Sequence, residues 1–163
     1  MTHPRWQHTA TLLNTGKVLL TGGLDGSYFP QASAELYDPA TERFSSTGSM
    51  HDARVNHTAT LLQNGKVLIT GGSRNLNSGA DTLTSAELFD PATGTFTSLA
   101  NSLHTARQGH TATLLNDGRV LIVGGRAPNG VEVGSTEFFD GQSFTPGPTL
   151  NQGRVGHGAV SLQ

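Results

Sequence analysis

The sequence contains no cysteine, which excludes disulfides, thiolate metal ligands and a cysteine nucleophile. Only 13% of its residues are charged and the formal net charge is −2, so we expect no nucleic-acid partner. The longest aliphatic runs, such as Val120–Val123, are too short for a transmembrane helix, and the first residues lack the apolar core of a signal peptide. These absences predict no membrane insertion and leave the compartment unknown.

A short aliphatic segment that ends in two glycines occurs three times. The copies are Lys17–Gly23, Lys66–Gly72 and Arg119–Gly125. Such a segment predicts a buried strand with a sharp exit, where glycine permits positive φ and close backbone approach. No GxGxxG or GxxxxGK[ST] motif is present, so the glycines are predicted to be structural rather than a phosphate loop: Gly22, Gly23, Gly71, Gly72, Gly124 and Gly125.

The whole chain is built from one repeat. Full repeats are predicted at about 5–52, 54–105 and 107–152, and a fourth begins at 154–163. Each start carries Arg-x-x-His, and the period is about 50 residues, which is typical of long β repeats. The four pairs are Arg5/His8, Arg54/His57, Arg107/His110 and Arg154/His157.

Each full repeat contains four strand-like segments, here called A to D. In the first repeat A is His8–Leu13, B is Lys17–Gly23, C is Ser33–Asp38, and D is centred on Phe44. Glycine-containing turns join A to B, which favours tight hairpins. No segment has a 3.6-residue apolar period, so an antiparallel all-β meander with almost no helix is predicted.

These features resemble the kelch-repeat family. The glycine pair is followed by an aromatic residue in segment C and another in segment D, where the family commonly has tryptophan. The resemblance implies an all-β fold, a β-propeller of four-stranded antiparallel kelch-type blades around a channel. The aromatic residues of the three repeats are Tyr37, Phe89, Phe139, Phe44, Phe96 and Phe144.

The predicted propeller is incomplete, with about three blades plus one strand. Closed propellers typically have 4–8 blades. We therefore expect the chain to be a piece of a longer protein whose further blades complete the ring. Completion by other chains, as a structural self-assembly module, and an open arc are the alternatives.

The four repeated histidines are predicted to be structural. A ring of histidines could bind a metal, but a ligand set normally converges on one point and no HxH or HExxH spacing is present. We expect each ring to tie segment A to a neighbour through Thr11, Thr60 or Thr113, or through backbone. No metal and no cofactor are therefore predicted.

The repeated glutamates Glu35, Glu87 and Glu137 lie in segment C. A buried carboxylate needs a partner, and we expect each to pair with an arginine that begins a repeat. The arginines considered are Arg54, Arg107 and Arg154. A catalytic pair formed by Glu35 and Glu87 is the alternative, and their recurrence in different repeats argues against it.

The links between segments B and C are long and differ in every repeat. They are residues 24–32, 73–84 and 126–134, and a meander places them on the same face as the D–A links. Variable loops on a rigid scaffold commonly carry binding residues, although loops also vary when nothing constrains them. The candidate ligand-binding residues are Asp25, Tyr28, Arg74, Asn75, Asn77, Asp81, Arg126 and Asn129.

The expected function is a non-catalytic module that binds a protein or a glycan through the B–C and D–A loops. The kelch resemblance also admits an enzyme fragment, since the scaffold occurs in galactose-oxidase-like and sialate-epimerase-like proteins. A galactose-oxidase-like copper site needs a cysteine-linked tyrosine, and this chain has no cysteine and only Tyr28 and Tyr37. Similar bacterial proteins are often exported, which gives a weak preference for an exported or cell-surface location.

Overall fold

The computed structural model describes residue 1 and residues 3–76 and 79–161. The fold is all-β, as predicted, and the described helical structure is a 3-10 turn at Gly79–Asp81. Among the described residues, no helix is long and apolar enough to cross a membrane. The strands are β1 (Thr9–Leu12), β2 (Val18–Thr21), β3 (Ala34–Asp38), β4 (Arg43–Ser46), β5 (Thr58–Leu61), β6 (Val67–Thr70), β7 (Ala86–Asp90), β8 (Thr95–Ser98), β9 (Thr111–Leu114), β10 (Val120–Val123), β11 (Thr136–Phe139) and β12 (Phe144–Pro146).

The strands form three antiparallel sheets of four, each in sequence order. Blade 1 is β1 to β4, blade 2 is β5 to β8, and blade 3 is β9 to β12. In blade 2, Thr58 faces Thr70 and Phe89 faces Phe96 across the register. The Phe89 and Phe96 rings pack with centroids 4.8 Å apart, and the equivalent aromatic pairs pack in the other two blades.

Blade 2 is buried on both of its faces. Val67 and Ile69 of β6 belong to the cluster shared with blade 1, while Leu68 between them belongs to the cluster shared with blade 3. All three side chains are fully buried. A strand with two buried faces shows a continuous apolar run, which explains why the sequence lacks a clean apolar–polar alternation.

Two apolar seams hold the blades together. The first seam lies between blades 1 and 2 and contains Leu13, Leu19, Ala34, Met50, Val67, Ile69, Phe89 and Phe96. The second lies between blades 2 and 3 and contains Leu62, Leu68, Ala86, Leu103, Val120, Ile122, Phe139 and Phe144. The first strands, β1, β5 and β9, pack next to one another, so they lie on the inside of the arc.

Among the described residues, no further blade covers the outer face of blade 1 or of blade 3. On blade 1, Leu12 is 64% exposed, and Tyr37 is only partly buried, whereas the equivalent Phe89 is fully buried. On blade 3, Leu121 is partly exposed, whereas the equivalent Leu68 is fully buried. The described residues therefore form an arc of three blades.

Gly71 illustrates why the glycine pair recurs. Its φ is +57°, and a Cβ at this position would lie 2.5 Å from the Arg107 carbonyl oxygen and 2.8 Å from Cε1 of His110. The next repeat therefore crosses blade 2 directly against this glycine, where a side chain has no room. Gly22 and Gly124 meet the equivalent Arg–His starts, at residues 54–57 and 154–157.

Substitution of Gly71 by alanine is expected to lower the free energy of unfolding by about 1–3 kcal/mol. Positive φ is strained for alanine, and the added Cβ overlaps the Arg107 carbonyl and the His110 ring. Urea denaturation followed by circular dichroism measures the change. Gly26→Ala is the control, since its φ is ordinary and no described heavy atom lies within 4 Å. Equal losses for the two variants would contradict the packing role of Gly71.

Candidate functional site

Each buried glutamate pairs with the arginine that begins its own repeat. Arg54 Nη2 lies 2.7 Å from Glu87 Oε1, and the Arg107–Glu137 distance is 2.8 Å. The partner of Glu35 is Arg5, at 2.9 Å, which was not among the predicted arginines. The predicted pairing of Arg154 is wrong for the described residues, because Arg154 is exposed and no described carboxylate pairs with it. The repeat to which an arginine belongs decides its partner.

Arg54 connects two blades through separate parts of the residue. Its backbone joins blade 1, because its N–H donates to the Gln31 carbonyl and its own carbonyl accepts the N–H of Gly23 at 3.0 Å. Its guanidinium enters blade 2, where Nη1 donates to the Gly71 carbonyl at 2.8 Å and Nη2 to Glu87. The residue is fully buried, so it fixes the two blades relative to each other.

The carboxylate of Glu87 is fully engaged. Besides Arg54 it accepts the backbone N–H groups of His51 and Asp52, at 2.8 and 3.2 Å, and lies 3.0 Å from His51 Nδ1. Burial opposes ionisation, but these hydrogen bonds and the Arg54 charge keep the pKa of Glu87 below its usual value. Glu137 has the same contacts with His104, Thr105 and Arg107. Because their oxygens are occupied by hydrogen bonds within the fold, these two carboxylates have the contacts expected of a structural role.

The histidines bind across the seams, but not to the predicted threonines. His57 Nε2 lies 3.0 Å from Thr9 Oγ1 and 3.1 Å from Thr21 Oγ1, both in blade 1. His110 contacts Thr58 and Thr70 in the same way. The partners are thus the first threonine of segment A and the threonine that ends the second strand of the preceding blade, which is Thr21 in β2 and Thr70 in β6. Thr11 and Thr60 instead donate to the Ala59 and Ala112 carbonyls, so the expectation that these threonines bind the histidine rings was wrong.

Burial keeps the two central histidines neutral. Burial, together with the positive charge of Arg54, lowers the pKa of His57 to about 3. His110 has a pKa of about 3 for the same reason, with Arg107 as the nearby charge. In both rings Nδ1 is buried without a hydrogen-bond partner among the described residues, so a proton there would have no described acceptor. Among the described residues no group of three or more metal-ligating side chains could hold a metal.

The B–C loops and the D–A links lie on one face, the loop face. Bridges join the residue after segment B to the residue that follows the arginine of each repeat start: Leu24 to Trp6, Ser73 to Val55, and Arg126 to Gln108. The A–B hairpins and C–D turns lie at the other ends of the same antiparallel strands. The candidate residues therefore share a face, although the structure distributes them over three blades.

Tyr28 belongs to an exposed aromatic patch made of Trp6, Tyr28 and Phe29. Tyr28 and Phe29 are 65% and 67% exposed, and Trp6 is 40% exposed. The Trp6 and Tyr28 rings meet edge to face, with centroids 5.4 Å apart at 88°. Tyr28 also has a φ of +66°, which is uncommon for a residue with a bulky side chain.

Asp25 shapes the loop that carries this patch. Its Oδ1 accepts the N–H groups of Ser27 and Phe29, and its Oδ2 accepts the side-chain amide of Gln31 at 3.1 Å. Asp25, which was predicted to bind a ligand, thus stabilises the loop that carries Tyr28. Asn129 has a similar local contact, since its Oδ1 accepts the N–H of Val131.

Arg74 is tied to the link that enters blade 2. Its Nη2 and Nε donate to Asp52 Oδ1, at 2.6 and 3.2 Å. Burial opposes ionisation of Asp52, but hydrogen bonds from Ser85 and Arg74 keep its pKa below the usual value. Asn75 donates its backbone N–H to Ser73 Oγ.

Two further candidates lie in the same loop. The backbone carbonyl of Asp81 accepts the N–H of Arg74, so the 3-10 turn also belongs to this loop network. Asn77 lies outside the described residues.

Arg126 lines a cavity of about 290 Å³ on the loop face, the loop-face cavity. Asn56 and Gln108 contribute amides, which are joined by a 3.2 Å hydrogen bond, and Leu76 and Val155 contribute apolar surface. Arg126 is exposed and is the one candidate binding residue in the described lining. Cationic, amide and apolar groups from two B–C loops and three successive repeat starts thus meet in this cavity.

A second cavity, of about 340 Å³, lies on the opposite face between the A–B hairpins of blades 1 and 2. Asn14, Lys66 and Asp90 line it, and Lys66 pairs with Asp90 at 3.0 Å. These residues belong to turns that resemble one another between repeats. We therefore place the candidate site on the loop face, where the residues differ.

Sequence reasoning missed Trp6, Asn56 and Gln108. Trp6 and Gln108 occupy the second position of Arg-x-x-His, and Asn56 the third, within a motif interpreted as structural. The second position differs between repeats, as Trp6, Val55, Gln108 and Val155, and this variation is the signal that could have identified Trp6 and Gln108.

Known proteins resemble this chain in motif and in fold. A family model described as Kelch motif matches residues 53–102. No curated protein sequence matches the chain. Among solved structures, YjhT is similar with a TM-score of 0.77 and 18% identity, over 94% of this chain and 55% of that one. This chain therefore spans about half the length of YjhT, and at 18% identity the likeness shows the fold alone.

The matched motif covers blade 2, and its glycine pair, aromatic pair and Arg–Glu pair recur in blades 1 and 3. Together with the fold shared with YjhT, these observations show that the chain carries a kelch motif and folds into the four-stranded blades of a partial β-propeller.

Proposed function

We propose that this chain is a non-catalytic binding module that recognises a protein or glycan ligand through its loop face. The observation that carries the proposal is the aromatic patch of Trp6, Tyr28 and Phe29. Three clustered aromatic side chains that are exposed to solvent are unusual on a protein surface and mark an interaction site. Aromatic rings present large, rigid contact surfaces and dominate the binding energy of many interfaces.

The scaffold around the patch favours binding over catalysis. Glu87 and Glu137 are buried and hydrogen-bonded, and His57 and His110 are held neutral within the seams. These repeated ionisable groups are thereby committed to blade packing. The differing side chains instead lie on loops that the blades hold in place, which is the usual arrangement of a recognition surface.

The geometry of Tyr28 supports a ligand-facing role. A left-handed backbone at a tyrosine costs on the order of 1 kcal/mol or more, and such strain often lies at functional sites. Two hydrogen bonds to Asp25 Oδ1 hold this turn. They hold Tyr28 in a solvent-exposed position, where its ring packs edge to face with the Trp6 ring.

Tyr28→Ala is expected to weaken ligand binding about tenfold, because it removes an exposed ring and the partner of Trp6. Glycan and peptide arrays would supply the ligand. Trp6 is the only tryptophan of the chain, so its fluorescence reports directly on a ligand at the patch. The affinity of each array hit is then measured by titration of this fluorescence.

Leu12→Ala is the matched control, because Leu12 is as exposed as Tyr28 but lies on the outer face of blade 1. It is expected to leave the affinity unchanged. Array hits whose affinity is the same in Tyr28→Ala, Phe29→Ala and the unmodified chain would refute the patch as the binding site.

A further inference from the structure

The aromatic patch contains two rings that stand at a right angle to each other. The ring planes of Trp6 and Tyr28 cross at 88°, with their centroids 5.4 Å apart. In this edge-to-face arrangement, the face of one ring and the face of the other bound a corner. Both side chains are exposed, so both present ring surface to solvent. A compact group that enters the corner therefore touches two aromatic faces at once.

The charges around this corner favour a cation. The face of an aromatic ring is electrostatically negative, and tryptophan attracts cations more strongly than the other aromatic residues. Asp25 is the charged residue of the loop at 24–32, and no described lysine or arginine pairs with it. Arg5, which precedes Trp6, is buried in its pair with Glu35 at 2.9 Å. The loop thus adds a negative charge to the negative ring faces.

The carboxylate and the amide of this loop are already used within it. Asp25 Oδ1 accepts the N–H groups of Ser27 and Phe29, and Gln31 Nε2 donates to Asp25 Oδ2 and to the Phe29 carbonyl. A sugar hydroxyl or an ammonium with N–H groups needs hydrogen-bond partners when it leaves water. A quaternary ammonium has no N–H group, so contact with the ring faces suffices for it.

We propose that the corner between Trp6 and Tyr28 binds a quaternary methylated ammonium group. The inference rests on the proposed function and names the chemistry that a ligand of the aromatic patch presents. Such a group occurs on the trimethyl-lysine side chain of a protein and in free choline. Phe29, which is 67% exposed, extends the apolar surface that the rest of the ligand meets.

Choline and its uncharged isostere 3,3-dimethylbutan-1-ol separate the effect of charge from that of shape. Each is titrated into the full chain at constant ionic strength, and the fluorescence of Trp6, the single tryptophan, reports on the corner. Choline is expected to bind about fivefold more tightly than the isostere. Equal affinities of the two compounds would overturn the proposal, as would a fluorescence that neither compound changes.

The substitutions Tyr28→Phe and Tyr28→Leu form a matched pair. Both keep an apolar side chain on the same backbone, but only phenylalanine keeps an aromatic ring. Tyr28→Phe is expected to retain the preference for choline over the isostere, and Tyr28→Leu is expected to lose it. A preference that survives unchanged in Tyr28→Leu would overturn the assignment of the cation to this corner.

Two further comparisons identify the source of the group and separate this inference from the proposed function. A trimethyl-lysine peptide that binds more tightly than choline would identify a protein ligand, and the reverse order would identify a small molecule. Array hits that change the Trp6 fluorescence, where choline and the peptide do not, would overturn the methylated ammonium and leave ligand binding at the loop face in place. If array hits, choline and the peptide all left this fluorescence unchanged, both proposals would fall.

Discussion

Replacement of Arg54 by methionine is expected to lower the free energy of unfolding by about 3–5 kcal/mol, the usual cost of removing one partner from a buried ion pair. Methionine keeps much of the volume but leaves the Glu87 carboxylate buried without its cation. The Gly71 carbonyl also loses the donor that lies 2.8 Å away. Chemical denaturation followed by circular dichroism measures the loss.

The control is Lys66→Met, which breaks the exposed bridge between Lys66 and Asp90 at 3.0 Å. An exposed ion pair contributes little to stability because solvent screens it, so the free energy of unfolding of this variant is expected to remain close to that of the unmodified chain. If Arg54→Met and Lys66→Met lowered the free energy of unfolding by the same small amount, this would contradict the role of the buried pair in holding the blades together.

Acidification from pH 6.5 to pH 4.5 is expected to destabilise the fold through His57 and His110. Their pKa of about 3 in the folded chain lies below the usual value of 6.5, so the unfolded chain binds their protons first. The stability that they contribute is complete above pH 6.5 and falls as the pH drops toward 3. The slope approaches about 1.4 kcal/mol per pH unit for each histidine.

The pH range in which histidine protonation lowers the stability differs from the range in which the carboxylates are protonated. Glu87 and Asp52 have lowered pKa values, so their contributions are lost only as the pH falls below the usual values of 4.5 and 3.8. Denaturation curves at pH 6.5, 5.5 and 4.5 therefore measure the histidines. The double variant His57→Gln, His110→Gln is expected to flatten the slope.

Thr9→Val provides the matched control for this experiment. It removes the hydroxyl 3.0 Å from His57 Nε2 but keeps the titrating ring. Its stability is expected to fall at every pH while the slope remains. A double histidine variant with the slope of the unmodified chain would contradict buried, neutral histidines.

The strands could be predicted from sequence because each depends on local and repeated information. The aliphatic run Val67–Thr70, followed by two glycines, needs no distant contact to be recognised as a buried strand. The repeat then carries the same assignment to the other blades. The Arg–Glu pairing was predictable as chemistry, since Glu87 is buried and a buried carboxylate needs a partner.

The partners across the seams could not be predicted in this way. The threonine that contacts His57 is determined by the position of blade 2 relative to blade 1. Packing along the first seam sets this position. The sequence-based expectation named Thr11 among the possible partners, but the His57 ring reaches Thr9 and Thr21 of the preceding blade.

Only part of the candidate site could be predicted, because some of its residues are brought together by contacts between distant parts of the chain. The variable loops identified Tyr28 and Arg126, but the residues beside them come from the repeat starts. Trp6 meets Tyr28, and Asn56 and Gln108 meet at the loop-face cavity, only because the start of segment A lies beside the end of segment B. A motif that is structural at its arginine and histidine carries variable residues between them.

Repeated residues hold the blades together, and we propose that the differing residues of one face bind a ligand. Mapping of backbone amide chemical shifts, with the tightest array hit added to the full chain, tests this most directly. Chemical shift changes are expected in residues 24–32 and around Trp6, whereas the shifts of β5 to β8 are expected to remain unchanged. Shifts concentrated at Asn14, Lys66 and Asp90 on the opposite face would contradict it.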